Sequence, residues 1–152
     1  SNGDLERLGI LVRNYFGGPN KASPNLSMET ILRNFGIPVR LRDMRERAAL
    51  VAQDQKGRFR TAVILGTQLK PHEQRFYLAH LLGHYILHFQ PKIATGDITM
   101  KGMKEEQDYA PRLMGKIVGI SEIERAADDF AVALLMPKGM FTKAIESPFS
   151  SS

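Results

Sequence analysis

The sequence predicts an α+β fold in which helices pack on one face of a small sheet of about three strands. Three observations lead to this prediction. Apolar residues recur at helical spacing near both ends of the chain, short strand-like segments cluster between residues 38 and 65, and a histidine-bearing helix follows them. Because a sheet this small needs a helix on one face to be stable, we expect the histidine helix to be central.

The first half of the chain is expected to supply two helices and the sheet. Apolar spacing predicts a helix over residues 4–16, which Gly17-Gly18-Pro19 ends, and a loop to residue 26. Ser27 is predicted to cap a short helix over residues 28–35 that Gly36 closes. Strands are then predicted at residues 38–41, 48–53 and 59–65, with a hairpin tip at residues 55–57.

The second half is expected to be mainly helical. Pro71 suits the first turn of a helix over residues 71–89. Residues 91–121 are interrupted by Gly and Pro and are predicted as a long surface excursion, with a short helix near residues 103–109. Ser121 and Glu124 have the spacing of a capping box, which predicts a helix to Met136, and another short helix is predicted over residues 139–146.

Length and composition exclude several classes of protein. The chain has 152 residues, of which 43% are hydrophobic and 24% charged, as expected for one globular domain over residues 1–152. It has no cysteine, so any metal site must use His, Asp or Glu. Because no apolar run is long enough to span a membrane and no signal peptide pattern is visible, we expect a cytoplasmic protein with no membrane partner.

The positive charge lies in the first part of the chain. Residues 1–60 carry a net charge of +5 and residues 61–152 are neutral, with arginines at positions 40, 42, 45, 47, 58 and 60. Solvated arginines of strands and turns are one interpretation. The alternative is a metal-free interaction or nucleic-acid-binding module that uses the basic segment 40–60.

The histidines point to metal chemistry. His80, His84 and His88 are spaced four apart and therefore share one helix face, where two imidazoles can bind one zinc ion. The helix is otherwise apolar, so inward imidazoles need partners. A second helix offers the carboxylates of Glu124 and Asp128, although Glu124 can also serve simply as the glutamate of a capping box.

Two stretches resemble the signatures of a known family. RFYLAHLLGHYILHF at residues 75–89 and IERAADDFAVALLMP at residues 123–137 resemble the ImmA/IrrE family of zinc metallopeptidases. The resemblance covers about residues 26–137, the core of the predicted domain. It implies a minimal zincin-like domain in which zinc is bound by His80, His84 and Glu124. It also implies that Asp128, or the adjacent Asp129, accepts a proton from a ligand imidazole and fixes its tautomer. His88 is either a fourth ligand or a packing residue.

The sequence departs from the family pattern at the catalytic base. The family motif HExxH reads His80-Leu81-Leu82-Gly83-His84, and Leu81 has no group that can accept a proton. General acid–base catalysis contributes roughly 10²–10⁴-fold to rate, so peptide hydrolysis is expected to be weak or lost. By resemblance, the domain then binds or acts on a regulatory protein, such as a helix-turn-helix repressor. The alternative is an active peptidase whose base comes from Glu73, Glu105, Glu106 or Tyr109.

Overall fold

The structure is a computed structural model that describes residues 2–22, 25–55, 58–90, 107–108 and 120–136. Its helices are α1 (Asn2–Phe16), α2 (Met28–Asn34), α3 (Pro71–His84) and α4 (Ile120–Leu135). Its strands are β1 (Val39–Arg42), β2 (Ala48–Gln55), β3 (Arg58–Gly66) and the two-residue β4 (Gln107–Asp108). A 3₁₀ turn covers Gly18–Asn20, and a π-helical turn covers Tyr85–Phe89. The predicted α+β class is confirmed.

Local signals define α2 at both of its ends. The Ser27 side chain accepts a hydrogen bond from the backbone N–H of Thr30 at 3.1 Å, which is the predicted N-cap. Gly36 follows the helix with a φ of +75°, a conformation that glycine adopts without steric cost. The N–H groups of Gly36 and Ile37 donate back to Arg33 and Leu32, forming a Schellman motif that ends the helix.

The strands form one mixed sheet in the order β1-β3-β2-β4. β1 pairs parallel to β3, while β2 pairs antiparallel to both β3 and β4. Val39 and Leu50 lie opposite Val63, so one face of the sheet carries a row of apolar side chains into the core. This pairing agrees with the predicted hairpin between the second and third strands.

Helices cover this apolar face in layers. α3 contacts β2 and β3 on one side and α4 on the other, and α1 packs against the far side of α4. The histidine helix is therefore central, as predicted. The core combines fully buried side chains from α2, the sheet, α3 and α4, among them Ile31, Leu50, Leu78, Leu82, Phe130 and Leu134. No helix in the described ranges is both long and apolar enough to cross a membrane.

Three predictions of secondary structure need correction. The prediction of a short helix near residues 103–109 is wrong at residues 107 and 108. These two residues instead form a strand that pairs with Val51 and Ala52, which gives backbone groups on the outer edge of β2 hydrogen-bond partners. The prediction of a capping box is also wrong. α4 begins at Ile120, so Ser121 lies inside the helix, and the Glu124 carboxylate contacts histidines instead of the helix N-terminus. The histidine helix changes to π geometry after His84. The rest of the excursion and residues 139–146 lie outside the described residues.

Candidate metal centre

The centre lies near a close contact between α3 and α4. A Cβ atom added to Gly83 would lie 3.0 Å from Cδ2 of Phe130 and 3.3 Å from Cα of Ala127. The absence of a side chain at Gly83 therefore lets the two helices approach closely. Glu124 precedes Ala127 by about one turn of α4, so this contact brings its carboxylate to the histidine face of α3.

Three donor groups converge at this crossing. Nε2 of His80 lies 3.1 Å from Nε2 of His84. The two carboxylate oxygens of Glu124 lie 2.9 Å from Nε2 of His84 and 3.2 Å from Nε2 of His80. His80 is 8% exposed and His84 is fully buried. The structure thus brings together the three residues that the sequence analysis proposed as ligands.

The geometry of these donors fits a zinc ion. Ligands bound tetrahedrally at about 2.0–2.1 Å from zinc lie about 3.3 Å from one another, and the three donor distances are close to that value. Two imidazoles and one carboxylate are also a ligand set of catalytic zinc sites, which keep a fourth position open. Among the described residues, these three form the group with donor atoms close enough together to hold a metal ion.

The outer nitrogen of each imidazole also has a partner. Asp128 Oδ1 lies 2.7 Å from Nδ1 of His80, so Asp128 stands where the sequence analysis expected a supporting carboxylate. Nδ1 of His88 lies 3.2 Å from Nδ1 of His84. The geometry does not fit His88 as a fourth ligand, because His88 approaches the nitrogen of His84 that faces away from Glu124.

Burial controls the charge state of the centre. Burial, together with the nearby His80 and His88, lowers the pKa of His84 to about 3. Burial also raises the pKa of Glu124, against the opposing effect of His80. His84 is therefore neutral near pH 7, which is the form of imidazole that binds a metal ion.

The comparison with protein families agrees with this centre. Residues 32–151 match the sequence model of a peptidase family described as the IrrE N-terminal-like domain. The chain belongs to this family. A search of curated proteins finds no match. The match spans the sheet, α3 and α4, and together with the group formed by His80, His84 and Glu124 it supports a zinc metallopeptidase-like domain.

In this IrrE-like domain, position 81 lies in the core. Leu81 is 2% exposed and belongs to the main apolar cluster, together with Leu78 and Leu82. The position that the sequence analysis compares with the glutamate of HExxH therefore carries a buried aliphatic side chain.

The alternative bases are not brought to the centre within the described residues. The Glu73 carboxylate accepts a hydrogen bond from the backbone N–H of Lys70 at 3.0 Å, and this bond is the main reason that the pKa of Glu73 is lowered. That contact holds Glu73 at the start of α3, two turns before His80. Glu105, Glu106 and Tyr109 lie outside the described residues.

Sequence analysis missed two residues that shape the centre. Gly83 permits the close helix contact, and its place inside the HxxxH motif is the only signal that the sequence gives for it. The Phe76 ring stacks near His80, with ring centroids 5.9 Å apart and an angle of 29° between the ring planes. Phe76 precedes His80 by four residues, and this helical spacing predicts the contact.

The basic segment 40–60 runs from the edge strand β1 through β2 to the start of β3. Arg40 and Arg42 are exposed on β1, and Arg45 is exposed in the turn after it. Arg47 hydrogen-bonds the side chain of Tyr77, and this contact raises the Arg47 pKa. The side chains of Arg58 and Arg60 lie outside the described part of the structure.

Proposed function

We propose that this IrrE-like domain binds zinc through His80, His84 and Glu124, and that its peptide hydrolysis is weak or lost. We further propose that it acts in the cytoplasm on a regulatory protein partner. The observation that carries the zinc proposal is the convergence of two imidazole nitrogens and one carboxylate at 2.9–3.2 Å in a buried place. Such a group of electron-pair donors is stabilised when a cation binds between them.

Each residue of the centre would have a distinct role in zinc binding. His80 and His84 supply neutral nitrogens, and Glu124 supplies a negative charge that partly offsets the charge of the metal. Asp128 accepts the Nδ1–H of His80, which leaves the Nε2 electron pair of His80 free. When bound, zinc supplies Lewis acidity and lowers the pKa of a water molecule.

Weak hydrolysis follows from residue 81. A peptidase of the HExxH type needs a base to take a proton from water and return it to the leaving amine. Leu81 has no such group, and the Glu73 carboxylate is engaged at the start of α3. We therefore expect the domain to bind a protein chain near the centre without cutting it rapidly.

Zinc binding can be tested by thermal unfolding and titration calorimetry. Zinc at 100 times its dissociation constant should stabilise the fold by about 2.7 kcal/mol, and a chelator should reverse the shift. His80→Ala should abolish both effects. His72→Ala is the matched control, because His72 is exposed on the first turn of the same helix. An unchanged melting temperature for the wild type with zinc and with chelator would refute the zinc proposal.

The partner proposal rests on the family resemblance and needs its own test. Purified helix-turn-helix repressors should bind the zinc-loaded domain in calorimetry and remain intact over hours at 37 °C. Zinc-dependent cutting that a chelator stops would instead favour an active peptidase with a base from elsewhere in the chain. Failure of every candidate repressor to bind would remove the support for this class of partner.

A further inference from the structure

His88 lies beside the candidate centre without joining it. It sits one turn beyond His84, and the two Nδ1 atoms are 3.2 Å apart. His84 uses its other ring nitrogen, Nε2, to face His80 and Glu124. The two nitrogens of His84 thus have different neighbours, and the position of one proton decides which nitrogen can bind a metal.

The tautomer of His84 determines the role of His88. A neutral imidazole carries one N–H and one free electron pair. For Nε2 of His84 to offer its electron pair to zinc, the proton of His84 must sit on Nδ1. The Nδ1–H then needs an acceptor, and Nδ1 of His88 can accept only if His88 is neutral with its own proton on Nε2.

We propose that His88 is a positioning residue for zinc, because its Nδ1 accepts the hydrogen bond donated by Nδ1–H of His84 and so keeps Nε2 of His84 turned toward the centre. This inference rests on the zinc site proposed above. It assigns to an imidazole the supporting role that the carboxylate of Asp128 has toward His80.

Two features of the structure favour this role. His84 is fully buried, so solvent does not readily supply another acceptor if His88 is lost, whereas the Asp128 side chain is 52% exposed and water can replace it. The chain also leaves α-helical geometry directly after His84: the N–H of Gln90 donates to the carbonyl of Tyr85, five residues earlier. Such π turns are rare and are common at functional sites, and this one sets the direction of His88.

Zinc titration of matched variants tests the proposal. His88→Leu removes the acceptor and should weaken zinc binding about 10–100-fold. His88→Asn places an amide oxygen at the same distance along the side chain and should restore affinity to within a few-fold of wild type. His72→Leu, on the exposed first turn of α3, should leave affinity unchanged. Equal affinities for His88→Leu and wild type would overturn the proposal.

A second measurement needs no variant. In the zinc-loaded wild type, ¹⁵N NMR of the imidazoles should show His84 protonated on Nδ1 and His88 neutral and protonated on Nε2. A His88 that carries its proton on Nδ1, or on both nitrogens, would overturn the proposal even if His88→Leu did not fold. A wild type that binds no zinc would show instead that the proposed function has failed, and the inference with it.

Discussion

Among single residues, Leu81 is the one on which the proposal of weak or lost hydrolysis depends. Its side chain is 2% exposed and packs in the main core, while His80 and His84 of the same helix face the centre. Burial raises the pKa of a carboxyl group, so a glutamate at this position would be a stronger base than one in water. The same burial would make the substitution costly for stability.

Leu81→Glu is therefore expected to gain activity and lose stability. Zinc-dependent peptide cleavage should rise by roughly 10²–10⁴-fold if position 81 is the base position that the resemblance implies, because the substitution places a proton acceptor there. The free energy of unfolding should fall by about 2–5 kcal/mol, as for other losses of a buried Leu. Leu81→Gln is the control, with a similar shape and no base. Equal cleavage rates for the two variants would show that position 81 does not reach the reacting groups.

The charge state of His84 predicts how stability depends on pH. Its pKa is about 3 in the folded protein and 6.5 when exposed, so between these values the unfolded chain binds a proton that the folded chain does not. The stability of the metal-free protein should therefore fall as pH falls below 6.5, by up to about 1.36 kcal/mol per pH unit from this residue. The raised pKa of Glu124 opposes this trend at pH values above about 4.5, because there the folded chain binds more protons at Glu124 than the unfolded chain does.

Urea denaturation with chelator between pH 7 and pH 4 measures this effect. His84→Gln removes the titrating group and leaves the other groups in place. As pH falls, the free energy of unfolding of the wild type should decrease relative to that of His84→Gln. A difference that stays constant across the range would contradict the assigned pKa.

Among the elements, the pairing of α3 with α4 determines whether the centre exists. A Cβ atom added to Gly83 would lie 3.0–3.3 Å from Phe130 and Ala127, so a methyl group fits there only if these neighbours shift by a few tenths of an ångström. A Cβ atom added to Gly9 of α1 would lie 3.0 Å from Ala133 of α4. α4 is thus held between two close contacts, and only the first bears on the distance between Glu124 and the histidines.

Gly83→Ala should weaken zinc binding even though alanine favours helix by about 1 kcal/mol over glycine. The added methyl group pushes α4 away by a few tenths of an ångström and spreads the three donors. We expect an affinity loss of about tenfold, roughly 1.4 kcal/mol, by calorimetry. Gly9→Ala makes a comparable clash away from the donors and should change stability without changing zinc affinity. Equal losses in both variants would contradict a local effect at Gly83.

The elements also show what sequence can and cannot predict. The start and end of α2 follow from Ser27 and Gly36, which act within a few residues. The histidine spacing likewise predicts which groups of α3 share a face. β4 depends on pairing with Val51, more than fifty residues away, and Gly83 matters only because α4 packs against it. Such features depend on tertiary contacts, which no local pattern encodes.

At the scale of the whole molecule, Arg13 joins the N-terminal helix α1 to the C-terminal end of α4. The family match starts at residue 32, so α1 precedes it, yet α1 packs against α4. Arg13 is 3% exposed, and its guanidinium donates to the carbonyls of Leu134 at 2.8 and 3.0 Å, Leu135 at 3.1 Å and Lys21 at 2.7 Å. These bonds satisfy carbonyls that the end of a helix leaves unpaired, and a cation there complements the helix dipole.

Arg13→Met should therefore destabilise the whole fold. It keeps a long apolar stem, but it removes charge-assisted hydrogen bonds worth about 1.5–3 kcal/mol each and leaves buried carbonyls unpaired. We expect the free energy of unfolding to fall by about 3 kcal/mol in urea denaturation. Arg13→Lys should recover only part of this loss, because one ammonium group cannot span carbonyls that the planar guanidinium reaches together. Arg7→Met, at an exposed position on the same helix, is the control. If Arg13→Met and Arg7→Met are equally stable, α1 does not hold α4 through Arg13.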